Sequence, residues 1–465
     1  MTFSRFARCV AALIWAICCV GAGAQIPAQA QQHFLSARKA QEAGDYGRAT
    51  AEYRAAAKLE PTLTPAYVNL GLVEYVRQNY DASIAALEKA RTLQPEVRGI
   101  SLYLGMSYEK LHQPFRALPL LQQAAAAEPR SKEALKGLAD ALWKTGHLRA
   151  AVQTLRAAAS FYPRDAGVLF LLGDAYRKAA ASGWEDIVRK DPDSEFAHLI
   201  LAETYTAMDQ PLKAQRHFEL AAQKNPSRLE VPQTPDSPLP VLESKAKEVE
   251  DAVAADPARL EARYSLGKIY KLLAVATLRR LLDLDDHSAL AHELLARTYE
   301  AEGRGEAALA EYKQAALTDP ALPEVHFAMG HLLWTLNRSD EAVEALQQEL
   351  RVNAYHAEAS AEIGTIFVSR HEPAKGMPYL LSALRIEPDL VEAHRQLGKA
   401  YHEEGRNSRA LEELTRAIPG DKDGSTHYLL ATVLRDMRLP DEARKAFAVS
   451  QRMKAERLET VNEKF

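Results

Sequence analysis

The amino-acid sequence predicts an all-α fold in which short helices pair into hairpins and the hairpins stack one after another. Small residues recur at a fixed interval along most of the chain, alanine and other strong helix formers fill the intervals, and prolines recur where the intervals end. Runs of β-branched residues, which favour strands, are rare. A recurring interval of this kind indicates a repeat architecture rather than several separate globular domains.

The small residues keep one register in two blocks of the chain. In the first block the step is 34 residues, and the register positions are Ala37, Gly71, Gly105, Ala139 and Gly173. In the second block the step is again 34, with a final step of 33, and the positions are Ala296, Gly330, Gly364, Gly398 and Ala431. A register that persists over so many steps predicts that each interval is one structural unit.

The third interval shows how this pattern builds a hairpin. Leu104, Gly105 and Tyr108 fall on one face of a first helix, while Ala117 and Leu121 lie on the inner stripe of a second helix. The small residue lets the two helices approach closely. Glycine or asparagine is expected at the turn between them, and a proline ends the second helix because it cannot extend one. One hairpin cannot bury its apolar face alone, so the units are expected to stack.

This pattern resembles the tetratricopeptide repeat (TPR) family, whose signature is the same 34-residue arrangement of small and large positions. The resemblance covers residues 30–457 and implies an all-α, right-handed superhelical solenoid of stacked helix-turn-helix repeats. It implies an N-terminal block of about six repeats over residues 25–228, a C-terminal block of about six repeats over 260–457 and a tail over 458–465. The resemblance also implies a protein that binds other proteins and is not an enzyme.

Two intervals are shorter than the rest. The steps from Gly173 to Ala202 and from Gly267 to Ala296 are only 29 residues, and in both the turn between the helices is missing. The two regions also match at an offset of 94 residues, which indicates an internal duplication. Each short unit is expected to form either one long bent helix or a very tight hairpin, the latter near Gly183 in the first unit. Residues 260–284 contain neither glycine nor proline, so the long helix is favoured there.

The only break in composition lies between the two short units. The prolines that crowd this segment exclude a helix. They are Pro226, Pro232, Pro235, Pro238 and Pro240. Residues 227–240 are predicted to be a linker or surface loop, and residues 241–257 a lone second helix, so 229–259 separates the two repeat blocks. A ligand for a proline-binding module is the functional alternative for this segment.

The first residues predict a leader that is not part of the fold. Arg5 and Arg8 precede an apolar stretch over 9–20, and residues 22–24 (Ala-Gly-Ala) form a signal-peptidase site, so cleavage is expected after Ala24. All three cysteines lie in this leader, so the mature chain is expected to form no disulfide. The predicted location is periplasmic or secreted, without integral membrane segments after cleavage. An N-terminal membrane anchor is the alternative.

The sequence offers no chemistry that points to catalysis, to a cofactor or to a metal. Neither a phosphate-binding glycine loop nor a serine-hydrolase elbow is present. His292 and Glu293 begin like a zinc-protease helix, but Ala296 replaces the second histidine. Residues 421–424 lack the spacing of a calcium loop and are expected to form a turn. The net charge of −4, without a basic stripe, argues against nucleic acid.

Six histidines share one slot, four residues before a small register residue. They are His33, His198, His292, His326, His394 and His427. This slot usually holds a large packed residue, so half-buried imidazoles with one hydrogen bond each are expected. Equivalent residues of stacked repeats lie roughly 10 Å apart, too far for two of them to share a metal. A response to pH is the alternative role.

A protein-binding groove is expected where residues one helical step past the packing stripe face the concave surface. In the early repeats these positions are apolar or aromatic with lysines at the edge, which suits an extended or helical segment. The predicted partner-binding residues are Val68, Leu72, Tyr75, Leu102, Met106, Lys110, Trp143 and Lys144. A later surface with Phe327 and Trp334 ranks second.

The predicted function is therefore a non-catalytic interaction scaffold of the cell envelope or secreted space, which holds segments of other proteins in its groove. The alternative is an accessory subunit that positions or activates an envelope enzyme or an assembly machinery.

Overall fold

The computed structural model describes residues 26–97, 99–207, 210–224, 239–285 and 287–462. The predicted leader and most of the predicted linker lie outside these residues. The chain divides into two compact units, residues 1–161 and 162–465, and each is considered by itself. The described ranges contain α-helices joined by turns, one short 3-10 helix and no strand, which confirms the all-α prediction.

The first unit consists of four helical hairpins. Its helices α1 to α8 are Ala28–Glu42, Tyr46–Leu59, Thr64–Val76, Tyr80–Leu93, Ile100–Lys110, Pro114–Ala127, Lys132–Lys144 and Leu148–Phe161.

Each regular hairpin closes on the small register residue of its first helix. A Cβ atom added to Gly71 would lie 2.5 Å from Cγ of Leu87, and one added to Gly105 would lie 2.6 Å from Cγ of Leu121. Both leucines are fully buried. The close approach of the two helices therefore depends on the small residue, as the sequence pattern predicts.

The turns between paired helices place one residue in the left-handed region. Gly44 and Gly146 adopt φ +77° and +83°, at positions where the sequence predicts turn glycines. In the second hairpin the left-handed residue is Gln78, with φ 60°, and not the predicted Asn79. The turn comes one residue earlier because the Gln78 N–H bonds to the carbonyl of Tyr75 at 3.0 Å, and Asn79 then caps α4.

The second unit contains three further kinds of element: two long helices, a lone helix and regular hairpins. Its helices α9 to α23 are Ala166–Lys190, Glu195–Ala207, Pro211–Ala222, Leu239–Ala255, Leu260–Leu284, Ala289–Ala301, Gly305–Thr318, Val325–Thr335, Ser339–Val352, Ala357–Ser369, Pro373–Ile386, Val391–Glu403, Asn407–Ala417, Ser425–Asp436 and Pro440–Asn462. A 3-10 turn over Ile418–Gly420 lies between α21 and α22.

Each shortened repeat forms one continuous helix of 25 residues, α9 in the first case and α13 in the second. The long helix favoured for residues 260–284 is confirmed. For the first short unit the tight hairpin near Gly183 is wrong, since α9 runs through that position without a break. Gly183 has open space around it, so no close contact forces a turn there.

The two long helices pack against each other in antiparallel fashion. Tyr176 and Tyr270, which are equivalent positions of the duplication, meet at their ring centroids 5.6 Å apart. Towards one end of the pair, Trp184 stacks on Tyr264 at 5.8 Å, and its Nε1 donates a hydrogen bond to the Tyr264 carbonyl at 3.2 Å. Contact between equivalent residues means that an approximate two-fold axis relates the two helices.

This pairing exchanges the halves of two hairpins. In regular repeats the glycine of the first helix receives a leucine 16 residues later, as Gly330 receives Leu346. With five turn residues missing, the equivalent of that leucine in α9 is Trp184. A Cβ on Gly267 of α13 would meet the Trp184 ring at 2.0 Å, so Trp184 completes the hairpin of the other long helix.

The lone helix α12 lies where the sequence predicts an isolated second helix and packs against α13. It begins at Leu239, so the predicted non-helical stretch 227–240 ends slightly too late. Pro240 stands in the first turn of α12, where a proline removes no helical hydrogen bond. Among the described residues, no helix combines the length and the apolar character that a membrane crossing needs.

Candidate functional site

The predicted groove residues of the first unit lie on α3, α5 and α7, the first helices of three consecutive hairpins. Val68, Leu72 and Leu102 are buried in one apolar cluster between these helices. Tyr75 is buried as well and meets Tyr103 edge-on, with 5.7 Å between ring centroids. Burial raises the pKa of the Tyr75 phenol. These four side chains therefore hold neighbouring first helices together.

The accessible part of the predicted groove is smaller than the sequence suggests. Lys110 and Lys144 are exposed, while Met106 and Trp143 are half-buried. All eight residues remain predictions as partner contacts, and the four accessible ones are those that a partner could touch without repacking the hairpins.

A polar cluster that the sequence reasoning did not single out lies beside these residues. Lys144 Nζ bonds to Glu109 Oε2 at 3.0 Å and to Asp140 Oδ2 at 2.9 Å, which links α5 to α7. Glu109 is buried, and this burial raises its pKa; Lys144 opposes the rise and Asp140 adds to it. The signal in the sequence is a carboxylate at two successive groove positions, one step from a lysine.

The second predicted surface contains a buried histidine. Phe327 lies on the face of His356, with ring centroids 4.5 Å apart, and Trp334 is half-buried on the same helix, α16. His356 lies between Glu324 and Glu358, each at 3.3 Å. Burial lowers the pKa of His356, but the bonds to the two carboxylates outweigh it and raise the pKa to about 10. A cationic ring against Phe327 stabilises this corner.

Glu324, Glu349 and His356 bring possible metal-ligand atoms within 4.8 Å of one another. Glu349, however, caps α16: its carboxylate accepts the N–H of Glu324 at 3.4 Å and that of Phe327 at 3.3 Å. These contacts account for the buried carboxylate as a structural group.

The six histidines of the shared slot are hydrogen-bonded within their own repeats, as predicted. Three bond to a glutamate 19 residues later through Nδ1: His33 to Glu52 at 2.6 Å, His292 to Glu311 at 2.7 Å and His394 to Glu413 at 2.6 Å. His198 instead meets His217, His326 meets the Pro320 carbonyl, and His427 meets Asp421. The slot therefore connects the first helix of a repeat to its surroundings.

The two motif-like segments have structural explanations. Ala296, at the position of the missing zinc ligand, is fully buried. Asp421 accepts the N–H of Gly424 and that of His427, both at 2.9 Å, and these bonds help to lower its pKa against the opposing effect of burial. Gly424 adopts φ +78°, so residues 421–424 form the expected turn.

Sequence profiles of the tetratricopeptide repeat match three segments of the chain, residues 34–97, 110–174 and 327–390. No curated protein matches the sequence.

Several solved structures are similar in fold. YrrB, described as a TPR protein with an unusual peptide-binding site, is 18% identical over 40% of this chain and 97% of its own, with a TM-score of 0.35. PilF of Pseudomonas aeruginosa is 18% identical over 48% of this chain and 97% of its own, with a TM-score of 0.36. The Cut9–Hcn1 hetero-tetramer of the APC/C gives 14% identity over 92% of this chain and 88% of the matched chain, with a TM-score of 0.35.

The repeat register, the helical hairpins and the matching profiles agree with one another. This chain is a member of the tetratricopeptide repeat family.

Proposed function

We propose that this protein is a non-catalytic interaction scaffold of the cell envelope or secreted space, and that it captures segments of partner proteins on the first helices of its N-terminal repeats. The observation that carries this proposal is the cluster of accessible Met106 and Trp143 beside the Glu109–Lys144–Asp140 network. A flexible thioether and an indole provide adaptable apolar contact. The network supplies fixed charges around them.

The charges favour one class of partner. One ammonium group faces two carboxylates, so the network carries an excess of negative charge next to the apolar side chains. A segment with an apolar anchor and a neighbouring basic residue would bury the anchor and pair with the exposed Asp140. This chemistry supports binding of an extended or helical peptide.

The location is part of the proposal and is supported by the leader sequence. We expect the mature chain to begin at Gln25 after cleavage at residues 22–24. Intact-mass measurement of the protein from fractionated cells tests this directly. Recovery of the chain with Met1 in place would contradict it.

Selection of binding peptides tests the groove. A library of random peptides is displayed and selected on the purified mature protein, and the affinity of the selected peptides is measured by fluorescence anisotropy. Trp143→Ala should weaken binding by roughly 1–3 kcal/mol, as loss of a buried aromatic anchor does. Tyr75 is not a suitable target, because its truncation would open a cavity between α3 and α5.

Phe115→Ala is the matched control, because Phe115 is an exposed aromatic residue on a second helix of the same unit. It should leave the affinity unchanged. Equal affinity of the selected peptides for the wild type and for a Met106→Ala, Trp143→Ala double variant would remove the proposal for this surface. Circular dichroism confirms that both variants keep their helix content.

A further inference from the structure

The internal duplication places two equivalent hairpins in the second unit, α10–α11 and α14–α15, and their outer faces differ. In the second copy, α16 covers the outer face of α15. Tyr312 of α15 is 1% exposed, and Leu332 and Leu336 of α16 lie against Gly305 at the other end of the same face. The side chains of α16 that face α15 include Val325, so they recur along one stripe of that helix.

In the first copy the same face is uncovered. Phe218, the equivalent of Tyr312, is 44% exposed. It borders a groove of about 520 Å³ that runs along α11 and is also lined by Pro211, Gln215 and Ala222. Among the described residues, α11 packs mainly against α10, and no helix plays the part that α16 plays for α15. The chain thus presents an interface that its own duplicate shows in the covered state.

The chain cannot supply the covering helix from the equivalent stretch of sequence. Residues 231–241 correspond to α16 at the offset of 94. Four prolines fall among these eleven positions, and a helix with prolines in its interior loses hydrogen bonds and clashes. The next helix in the chain, α12, packs against α13 instead.

We propose that the outer face of α11 is a docking site for an amphipathic helix of another protein. The helix would carry apolar residues at positions i, i+4, i+7 and i+11, the spacing of Val325, Met329, Leu332 and Leu336 on α16. It would lie across Phe218 as α16 lies across Tyr312. This site is separate from the groove on the N-terminal repeats and does not depend on it.

The chain itself provides the probe. A labelled synthetic peptide of residues 322–337 is titrated with the full mature protein, and binding is followed by fluorescence anisotropy. Saturable binding is expected, with at least a tenfold loss for Phe218→Glu and for Ala222→Glu, which place a charge in the groove. Phe115→Glu, at an equally exposed phenylalanine in the first unit, should bind as the wild type does. A peptide with Leu332→Glu should not bind.

Four results would overturn the proposal. The first is no saturable binding, and the second is binding that neither substitution on α11 weakens. The third is self-association of the wild-type chain in sedimentation that Phe218→Glu abolishes, because a second copy would then occupy the face. The fourth is binding that appears only after residues 228–237 are replaced by glycine and serine, because the chain's own linker would then be the occupant.

Discussion

A regular hairpin and the α9–α13 pair solve the same packing problem with different connections. In the regular hairpin, Gly105 receives Leu121 from the helix that follows directly after a turn. In the exchanged pair, Gly267 receives Trp184 from a helix that lies on the far side of α10, α11 and α12 in the chain. The loss of five turn residues thus converts a local contact into one between distant segments.

The difference has energetic consequences. Regular solenoid repeats gain stability mainly from neighbours, so each one adds a local increment. The exchanged pair can form only when both long helices are present, since each supplies the missing half of the other. A buried ion pair strengthens the link: Arg297 of α14 bonds to Asp174 of α9 at 3.3 Å, and both groups are buried. The duplicated segments should therefore fold as one cooperative body.

The largest expected effect concerns a cut in the linker. A specific protease site inserted after Glu230 should allow complete cleavage, because the proline-rich sequence cannot protect its backbone in a helix. The two fragments should nevertheless remain together in gel filtration, because α9 and α13 pack along their length. Two simple repeat blocks joined only by a linker would separate. Denaturing electrophoresis confirms the cut.

A charge at the exchanged contact provides the control for this experiment. Trp184→Asp in the nicked chain should release the fragments, since it places a carboxylate at the buried site above Gly267. Separation of the nicked wild-type chain would show that the exchange does not hold the halves together.

Addition of one methyl group should distinguish the two kinds of hairpin. Gly267→Ala is expected to cost about 1–3 kcal/mol, because the new Cβ would overlap the rigid indole of Trp184. Gly105→Ala should cost less, because Leu121 can change its rotamer and because alanine already fills this register position at Ala139. Urea unfolding followed by circular dichroism measures both. A larger cost at Gly105 would contradict the assignment.

The sequence predicts the regular hairpins well, because their contacts repeat at fixed short distances. The register residue Gly71 and its contact with Leu87 follow from the spacing alone. The exchange could not be predicted in this way, since no local period connects Trp184 with Gly267. One signal was available: a tryptophan stands where regular repeats carry leucine, which indicates a different partner.

The candidate groove was predicted less accurately than the hairpins. Val68 and Leu72 lie one step past the packing stripe, but that step brings them between neighbouring first helices and not onto the open surface. The helical period gives the angle of a side chain on its own helix. It does not give the rotation between successive repeats, which decides how much of that side chain the next helix covers.

A smaller effect is expected from a polar pair that differs between the two copies of the duplication. In the first copy, His198 and His217 meet at 3.2 Å between their Nδ1 atoms; in the second, the equivalent residues are His292 and Glu311. Burial lowers the pKa of both His198 and His217, and Lys224 lowers that of His198 further. The folded chain therefore keeps this pair neutral in conditions where the unfolded chain binds protons.

The sign follows from this difference. The contribution of the pair is fully present above the unfolded pKa of about 6.5 and declines as the pH falls below it. Hydrogen exchange, corrected for the intrinsic rate, should show α10 and α11 losing protection between about pH 7.5 and about pH 5.5, where histidine titrates. His217→Glu, which recreates the pair of the second copy, should reduce this loss. Equal loss in the variant would exclude the histidine pair as the cause.

The smallest expected effect tests the continuity of α9. In a continuous helix, Gly183→Ala should stabilise the chain by about 0.5–1 kcal/mol, because alanine loses less conformational freedom than glycine and its Cβ meets open space here. A tight hairpin with a left-handed glycine would instead be destabilised. Gly146→Ala is the matched control: the surroundings are equally open, but φ is +83°, so this change should lower the urea midpoint. Opposite signs for the two substitutions, measured by circular dichroism, are the expected result. A decrease for both would mean that the exchanged pair contains a turn at Gly183 and that the contrast between regular and exchanged hairpins is wrong at its starting point.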